Sequence, residues 1–469
     1  MNTEYENYKS RVVGAYTDCE DFVCREGGNA GCRYALIYIR GITSRDFIAE
    51  RILRPLLKAD MNNFNGDFRS LLESLVLSAP KDPSDAVNSV AKGDVLIIVE
   101  CGGNCFFALA NAQQTQGRSI QEPSSDVTVR GPKAGFVEDA ETNMALLRRY
   151  IRTPSIKFRR FTVGSVSETK VIMAYVGGRA DAKRVEDIAA RISGISASVI
   201  TDSANIAMLL DGNKSSLLPT CGSTEKVDKA ASKLMSGRIA VIVDGSPFVL
   251  TLPYVFAESI QAADDYLHTP YYATFIRFIR LVAFAAAIFA PGILCASVTY
   301  HYSSIPTELY GIISESRKDI PLSFFWETVA ILLLFELLRE VGVRMPRTVG
   351  EAVGLVGSII LGNTAVEAGI VSSVGVITVA FSAVCAFITP AFMYVIVIAR
   401  ILTLVLGEAF GIYGLGISTT ALIFLLCGKN SFGAPYMSPL APYDRMGMQD
   451  FVFSLPKRTL GRIEKLGGD

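Results

Sequence analysis

The chain has 469 residues, half of them apolar, with 45 Lys and Arg against 45 Asp and Glu. That length allows two or three domains, and the zero net charge argues against nucleic acid or another polyanion as a partner. Its nine cysteines suit free thiols in a reducing compartment better than a disulfide framework.

Charge is unevenly spread. Residues 1–280 hold most of it, whereas residues 281–427 read as long apolar stretches, so a soluble half precedes a membrane half. The opening "MNTEYENYKSRVVGAYTDCE" is polar and mildly acidic, with neither the basic nor the apolar region of a secretory signal. The charged half is therefore expected on the cytoplasmic side, with residues 1–32 an N-terminal polar segment.

Residues 34–39 predict a strand and Gly41 a turn. "SRDFIAERILRPLL" then predicts a helix, with Ser44 as N-cap and Phe47, Ile48, Ile52, Leu53, Leu56 and Leu57 at helical spacing. The same text returns about 137 residues later. Tyr175, Val176 and Gly178 align with Tyr38, Ile39 and Gly41, and "IAARI" with "IAERI". A second pair, residues 92–110 against 236–253, reads as apolar strand, glycine turn and apolar strand, a hairpin signature. The expected fold class is an α/β soluble domain of two duplicated subdomains, 33–135 and 161–255, followed by a polytopic α-helical membrane domain. Two unrelated α/β pieces with ordinary glycine turns are the competing explanation. Between the copies, 136–160 is expected as a basic connecting segment carrying Arg148, Arg149, Arg152, Lys157, Arg159 and Arg160. It would meet anionic lipid headgroups or an acidic partner, or form a solvated face.

Residues 256–280 follow as a juxtamembrane linker and 281–427 as the helical membrane domain. "LVAFAAAIFAPGILCASVTY", residues 281–300, holds no charge and is long enough to cross a hydrocarbon core of ~30 Å. Arg277 and Arg280 just before it favour a cytoplasmic start, and Pro291 within it is expected to kink the helix or release a carbonyl. The next apolar core, residues 321–347, carries Glu327, Glu336, Arg339 and Glu340. Glu336 and Arg339 share a helix face and can pair. This helix either lines a polar path or holds its charged end at the interface with Arg344 and Arg347. Residues 350–376 are interrupted by glycines and by Asn363 and Glu367, the pattern of a re-entrant helix or of close helix packing. A clean span is expected at 370–389, with two more at 391–407, interrupted by Arg400, and at 409–427. The basic tail, 428–469, is expected inside.

Catalytic machinery is not legible. His268 and His301 belong to no metal-ligand set, Cys101 and Cys105 read as small buried hydrophobes, and neither a phosphate-binding glycine loop nor a nucleophile elbow occurs. No catalytic residue, no metal and no cofactor is expected, and the chain does not read as an enzyme.

Five strings, "EPSSD" (122–126), "RGPKAGFVED" (130–139), "TNMALLRR" (142–149), "FELLREVGVRMPR" (335–347) and "GNTAVEAGIVS" (362–372), together resemble the A subunits of spore germination nutrient receptors, the GerA family. A related sporulation-operon protein shares the resemblance. The motif residues are Glu122, Pro123, Arg130, Gly131, Pro132, Gly135, Phe136, Glu138, Asn143, Gly342, Arg344 and Pro346. The chain departs from the family pattern at Asp126 and at "TEKVD" (224–228), which puts in doubt any partner contact made through those positions. The resemblance implies a multi-pass protein of the inner spore membrane, with its N-terminal domain and tail in the cytoplasm. It also implies assembly with a transporter-like B subunit and a lipoprotein C subunit, and a homo-oligomeric ring in membrane lipid that passes ions once a nutrient is sensed. Glu327, Glu336, Arg339, Glu340, Asn363 and Glu367 are the candidate ion-pathway or gating groups. A secondary transporter built on the broken helix and a non-conducting scaffold are the alternatives.

Overall fold

The computed structural model describes residues 4–29, 31–59, 66–72, 76–113, 132–212, 217–262, 264–265, 268–344, 362–448 and 450–451. These divide into two compact units, one holding most of residues 1–254 and the other most of 255–469.

The first unit contains two five-stranded sheets. One has the order β1-β2-β4-β5-β3, formed by β1 (Phe22–Asn29), β2 (Cys32–Ile39), β3 (Leu77–Ser78), β4 (Asp94–Cys101) and β5 (Asn104–Asn111). The other has the order β6-β7-β9-β10-β8, formed by β6 (Ile156–Val163), β7 (Thr169–Val176), β8 (Gly222–Thr224), β9 (Ile239–Val243) and β10 (Val249–Leu252). All strand pairs within the two sheets are antiparallel.

Each sheet is covered by helices on both faces. Against the first sheet, α1 (Glu4–Ala15) and α3 (Pro83–Lys92) pack on one side, and α2, a continuous run of Arg45–Phe47, π-helical Ile48–Leu53 and Arg54–Lys58, packs on the other. Against the second, α4 (Ala140–Tyr150) and α7 (Val227–Met235) cover one face, and α5 (Ala182–Ser193) and α6 (Ser203–Asp211) the other. The local causes are those expected from the text. Ser44 caps α2 by accepting from the Phe47 amide, and Asp181 caps α5 by accepting from the Lys183 amide. Gly41 and Gly178, which end the two aligned strands, both sit at positive φ (89° and 80°), a conformation glycine adopts without steric cost.

Three expectations are corrected. Residues 1–32 are not merely a polar segment, because α1 and β1 lie there and Tyr5, Val12 and Tyr16 are core residues. Segment 136–160 is not a connector. It supplies α4, whose Met144 and Leu147 are buried against the second sheet, and the start of its edge strand β6. In the first segment frequent charges surround a sparse set of buried apolar residues, and in the second arginines that pair inside the protein read as a charged surface. Cys32 and Cys101, expected as thiols, are bridged by a disulfide with a Cα separation of 4.5 Å. They lie beside the Arg33–Glu100 register pair of β2 and β4, a proximity that a sequence separation of 69 conceals.

The second unit is helical: α8 (Phe256–Ile260), α9 (Pro270–Thr299), α10 (Thr307–Ser316), α11 (Phe324–Arg344), α12 (Ser373–Phe387), α13 (Met393–Phe410) and α14 (Ile412–Gly428). Among the described residues, two helical stretches, Pro270–Thr299 and Pro390–Phe410, are long and apolar enough to cross a membrane, while α12 and α14 are apolar but shorter. The span expected at 370–389 is trimmed because Ser372 caps α12 and Thr389 precedes Pro390. Gly411, at φ 60°, separates α13 from α14, and a side chain at Gly414 would collide with the Leu406 carbonyl.

Candidate functional site

Among the described residues of the helical unit, polar side chains gather at three places within the apolar segments that follow residue 281. The first surrounds Glu327 on α11, which is wholly buried. Its Oε1 accepts from the Ser372 amide at 2.8 Å and from the Ser372 hydroxyl. Ser372 in turn accepts from the Gly375 amide, so Glu327 extends the N-cap of α12 and meets the positive end of its dipole. Arg317 lies 3.4 Å from Oε2, near enough for an ion pair but not aligned for a hydrogen bond, and its guanidinium stacks on Phe324. A Cβ at Gly375 would collide with Glu327 Oε1, which is why glycine stands there.

The second place is built around Pro291. Lacking an amide hydrogen, Pro291 leaves the Ala287 carbonyl without its helical donor. Ser382 Oγ (2.8 Å) and Arg400 Nε (2.9 Å) donate to it instead, and Arg400 Nη2 reaches the Ser382 carbonyl at 3.3 Å. Thr403 Oγ1 donates to the Ile288 carbonyl at 2.8 Å. Three helices are thereby tied at one level, and Arg400 is buried there at 2% exposure. The backbones approach closely: a Cβ on Gly292 would lie 2.8 Å from the Thr403 carbonyl, and one on Gly407 2.9 Å from that of Gly292. The third place joins α9 to α13, where Cys295 Sγ (3.1 Å) and Thr299 Oγ1 (3.0 Å) donate to the Glu408 carboxylate.

The structure thus separates the candidates read from sequence. Glu327 is locked inside a cap. Glu336 and Arg339 pair one turn apart and are each about a quarter exposed, 23% and 24%. Glu340 pairs with Arg344 at 2.6 Å on a largely exposed face, and Gly342 is exposed beside them. Asn363 and Glu367 are exposed on the helical turn 362–367. Arg317, Ser372, Ser382, Thr403 and Glu408 went unrecognised. Arg400 was visible as a charge in an apolar run, the signal that marks such sites.

In the first unit, the motif strings build a buried joint. Gly135 pairs with Lys226, and the Phe136 amide donates to the Glu225 carbonyl at 2.7 Å. Asn143 is buried, holding both the amide and the carbonyl of Val137, while Asp139 caps α4. Pro132 and Glu138 are exposed, and the Glu138 carbonyl accepts from the Gly245 amide. Thr224, Glu225 and Lys226 are buried, so "TEKVD" serves internal packing. Glu122, Pro123, Arg130, Gly131 and Pro346 lie outside the described residues.

Arg148 is the centre of this joint. It is wholly buried and grips Asp21 with two bonds, Nε at 2.9 Å and Nη2 at 2.8 Å. Nη1 donates to the carbonyls of Thr153 and Ile156, and the group stacks on Phe158. Burial works against its charge, and Asp21 more than offsets it, leaving the pKa above the ordinary arginine value. Arg159 pairs with Glu186 at 2.7 Å, and Arg160 with Glu20 and Glu141 at 3.5 and 3.4 Å. The basic segment therefore spends much of its charge internally. Beside it lies a cleft of about 460 Å³ lined by charges of both signs, among them Arg40, Arg45, Arg149, Asp139 and Glu141.

These features belong to a chain with a two-sheet α/β unit and an apolar helical unit crossed by buried polar ties. Residues 10–465 match the family described as Bacillus/Clostridium GerA spore germination protein, and the chain belongs to that family. It is 35% identical to spore germination protein KA of Bacillus subtilis (strain 168), over 95% of this chain and 83% of that one. It is 33% identical to the uncharacterized membrane protein YfkQ of the same organism, over 95% and 87%. With spore germination protein GerLA of Bacillus cereus it shares 30% identity, over 94% and 91%. A crystal structure of the N-terminal domain of the A subunit of the Bacillus megaterium spore germinant receptor GerK3 aligns with 27% identity and a TM-score of 0.42, covering 54% of this chain and 96% of that one.

Proposed function

We propose that the chain is the A subunit of a spore germination receptor, that it resides in the inner spore membrane, and that several copies together form a cation path opened by nutrient sensing. Family membership over nearly the whole chain supports the receptor role. The cation path rests on one observation, the Glu336–Arg339 pair, partly exposed on α11 among exposed apolar residues such as Leu333 and Leu337. Charges at such a position are costly against lipid and normally face water or protein, and a ring of carboxylates attracts cations. Glu327 and Arg400 are positioning residues on this reading, since their partners fix helices.

The two sheets are read as a duplication. Their identical strand order and the matched turns at Gly41 and Gly178 support it. The cytoplasmic placement of the two-sheet unit, multiple crossings, and assembly with transporter-like B and lipoprotein C subunits belong to the same proposal.

The test is nutrient-triggered potassium release from spores whose only copy carries Glu336→Gln. Slowed or ion-altered release with normal protein abundance is expected. Release indistinguishable from wild type would remove Glu336, and with it the path along α11.

A further inference from the structure

The first three turns of α9 are arranged opposite to a helix that meets water. Tyr271, Phe275, Phe278 and Val282 recur at intervals of four, three and four, and they face outward at 90%, 58%, 55% and 50% exposure. On the opposite face Ala273 and Arg277 are buried, and Arg280 is mostly so. The arginines are held inward by acids. Arg277 Nε lies 3.1 Å from Asp265 Oδ2, and its Nη1 3.0 Å from Asp450 Oδ1 and 2.7 Å from the Asp450 carbonyl. Arg280 adds a two-pronged contact to Asp265 at 2.7 and 2.8 Å.

Arginine inward and aromatics outward is unfavourable for a helix in water and favourable for one at a membrane interface, where Tyr and Trp collect at headgroup level. Length agrees. α9 has 30 residues. At helical rise that is roughly 45 Å, which matches a bilayer with its headgroup layers and exceeds the ~30 Å hydrocarbon core.

We infer that Tyr271, Phe275 and Phe278 form an aromatic collar seated in the lipid interface, and that α9 enters the membrane near Tyr271 rather than at the charge-free stretch that begins at residue 281. Arg277 and Arg280 are then not lipid-headgroup contacts. They are neutralised within the protein by Asp265 and Asp450, so the collar meets lipid through aromatic surface. This inference rests on the membrane reading above.

The chain holds one tryptophan. The test therefore uses the full-length protein with Trp326→Phe and a single new tryptophan, Tyr271→Trp, Phe275→Trp or Val282→Trp, in phosphatidylcholine vesicles brominated near either end of the acyl chains. Tyr271→Trp and Phe275→Trp should lose emission to bromines at the headgroup end and resist aqueous acrylamide. Val282→Trp should lose more to bromines deeper in the chain. Acrylamide quenching of Phe275→Trp, with Val282→Trp quenched at the headgroup end, would overturn the collar while keeping the membrane span. Protection of Phe275→Trp from both acrylamide and bromolipid would mean that a partner protein or second copy covers the face, which also overturns it. No bromolipid quenching at any of the three positions would overturn the membrane reading itself.

Discussion

Arg148 offers a sharp test of the first unit. Replacing it with alanine strands the Asp21 carboxylate, 1% exposed, and takes the Nη1 donor from the carbonyls of Thr153 and Ile156. Removing one member of a buried ion pair costs about 3–5 kcal/mol, mainly because the remaining charge keeps its desolvation penalty. Arg148→Lys keeps the charge but not the two-pronged grip or the stacking on Phe158, so it should recover only part of the loss. The assay is urea-dependent pulse proteolysis of the full chain in detergent, following loss of the protected two-sheet fragment. Asp21→Leu should soften the effect of Arg148→Met, since removing both charges ends the desolvation penalty. A destabilisation below about 1 kcal/mol for Arg148→Ala, or strict additivity of the pair, would refute the joint.

Other expectations follow from the same geometry. Glu327→Ala should destabilise the helical unit by about 1–3 kcal/mol, because it leaves the buried Ser372 amide without its acceptor and removes the ion-pair partner of Arg317; thermal unfolding of the detergent-solubilised chain measures this, and a shift within error would refute it. Gly292→Val should separate α9 from α13, since its side chain meets the Thr403 carbonyl, and should lower the unfolding temperature by several degrees at least. Asp202, N-cap of α6, is pulled upward by burial but more strongly downward by the Ser246 hydroxyl and the Ser203 and Ala204 amides, so its carboxyl stands below its ordinary value. A depressed carboxyl contributes stability that is fully present above the unfolded value of about 4 and is lost as pH falls through the folded value. Asp202→Asn should therefore destabilise at neutral pH and converge with wild type in acid, read by urea unfolding across pH; a constant difference would contradict the assignment.

The strand at 34–39, the aligned strand end at Tyr175 and Val176, the Ser44 cap and both glycine-turned hairpins were legible because alternation, caps and turns are local signals. So were the Glu336–Arg339 pair and the carbonyl released by Pro291, which follow from helical spacing and a missing amide hydrogen. The elements α1, β1 and α4 were not legible, since α1 and β1 bury little and α4 buries a charged residue, Arg148, that reads as surface. Long-range partners escaped entirely: nothing near Arg148 in the chain names Asp21, and nothing near Glu327 names Ser372. Those contacts depend on how distant segments pack, which periodicity within one segment does not encode. The family strings fared differently. They drew attention to Asn143 and Phe136 without saying why, and burial supplies the reason.

The most direct measurement for the central claim is the mass and particle shape of the full chain purified in lipid nanodiscs. A closed ring of copies with a central opening, lined by α11 and its Glu336–Arg339 pairs, is the result expected for a shared cation path. A stable monomer with Glu336 facing lipid or buried protein would contradict it.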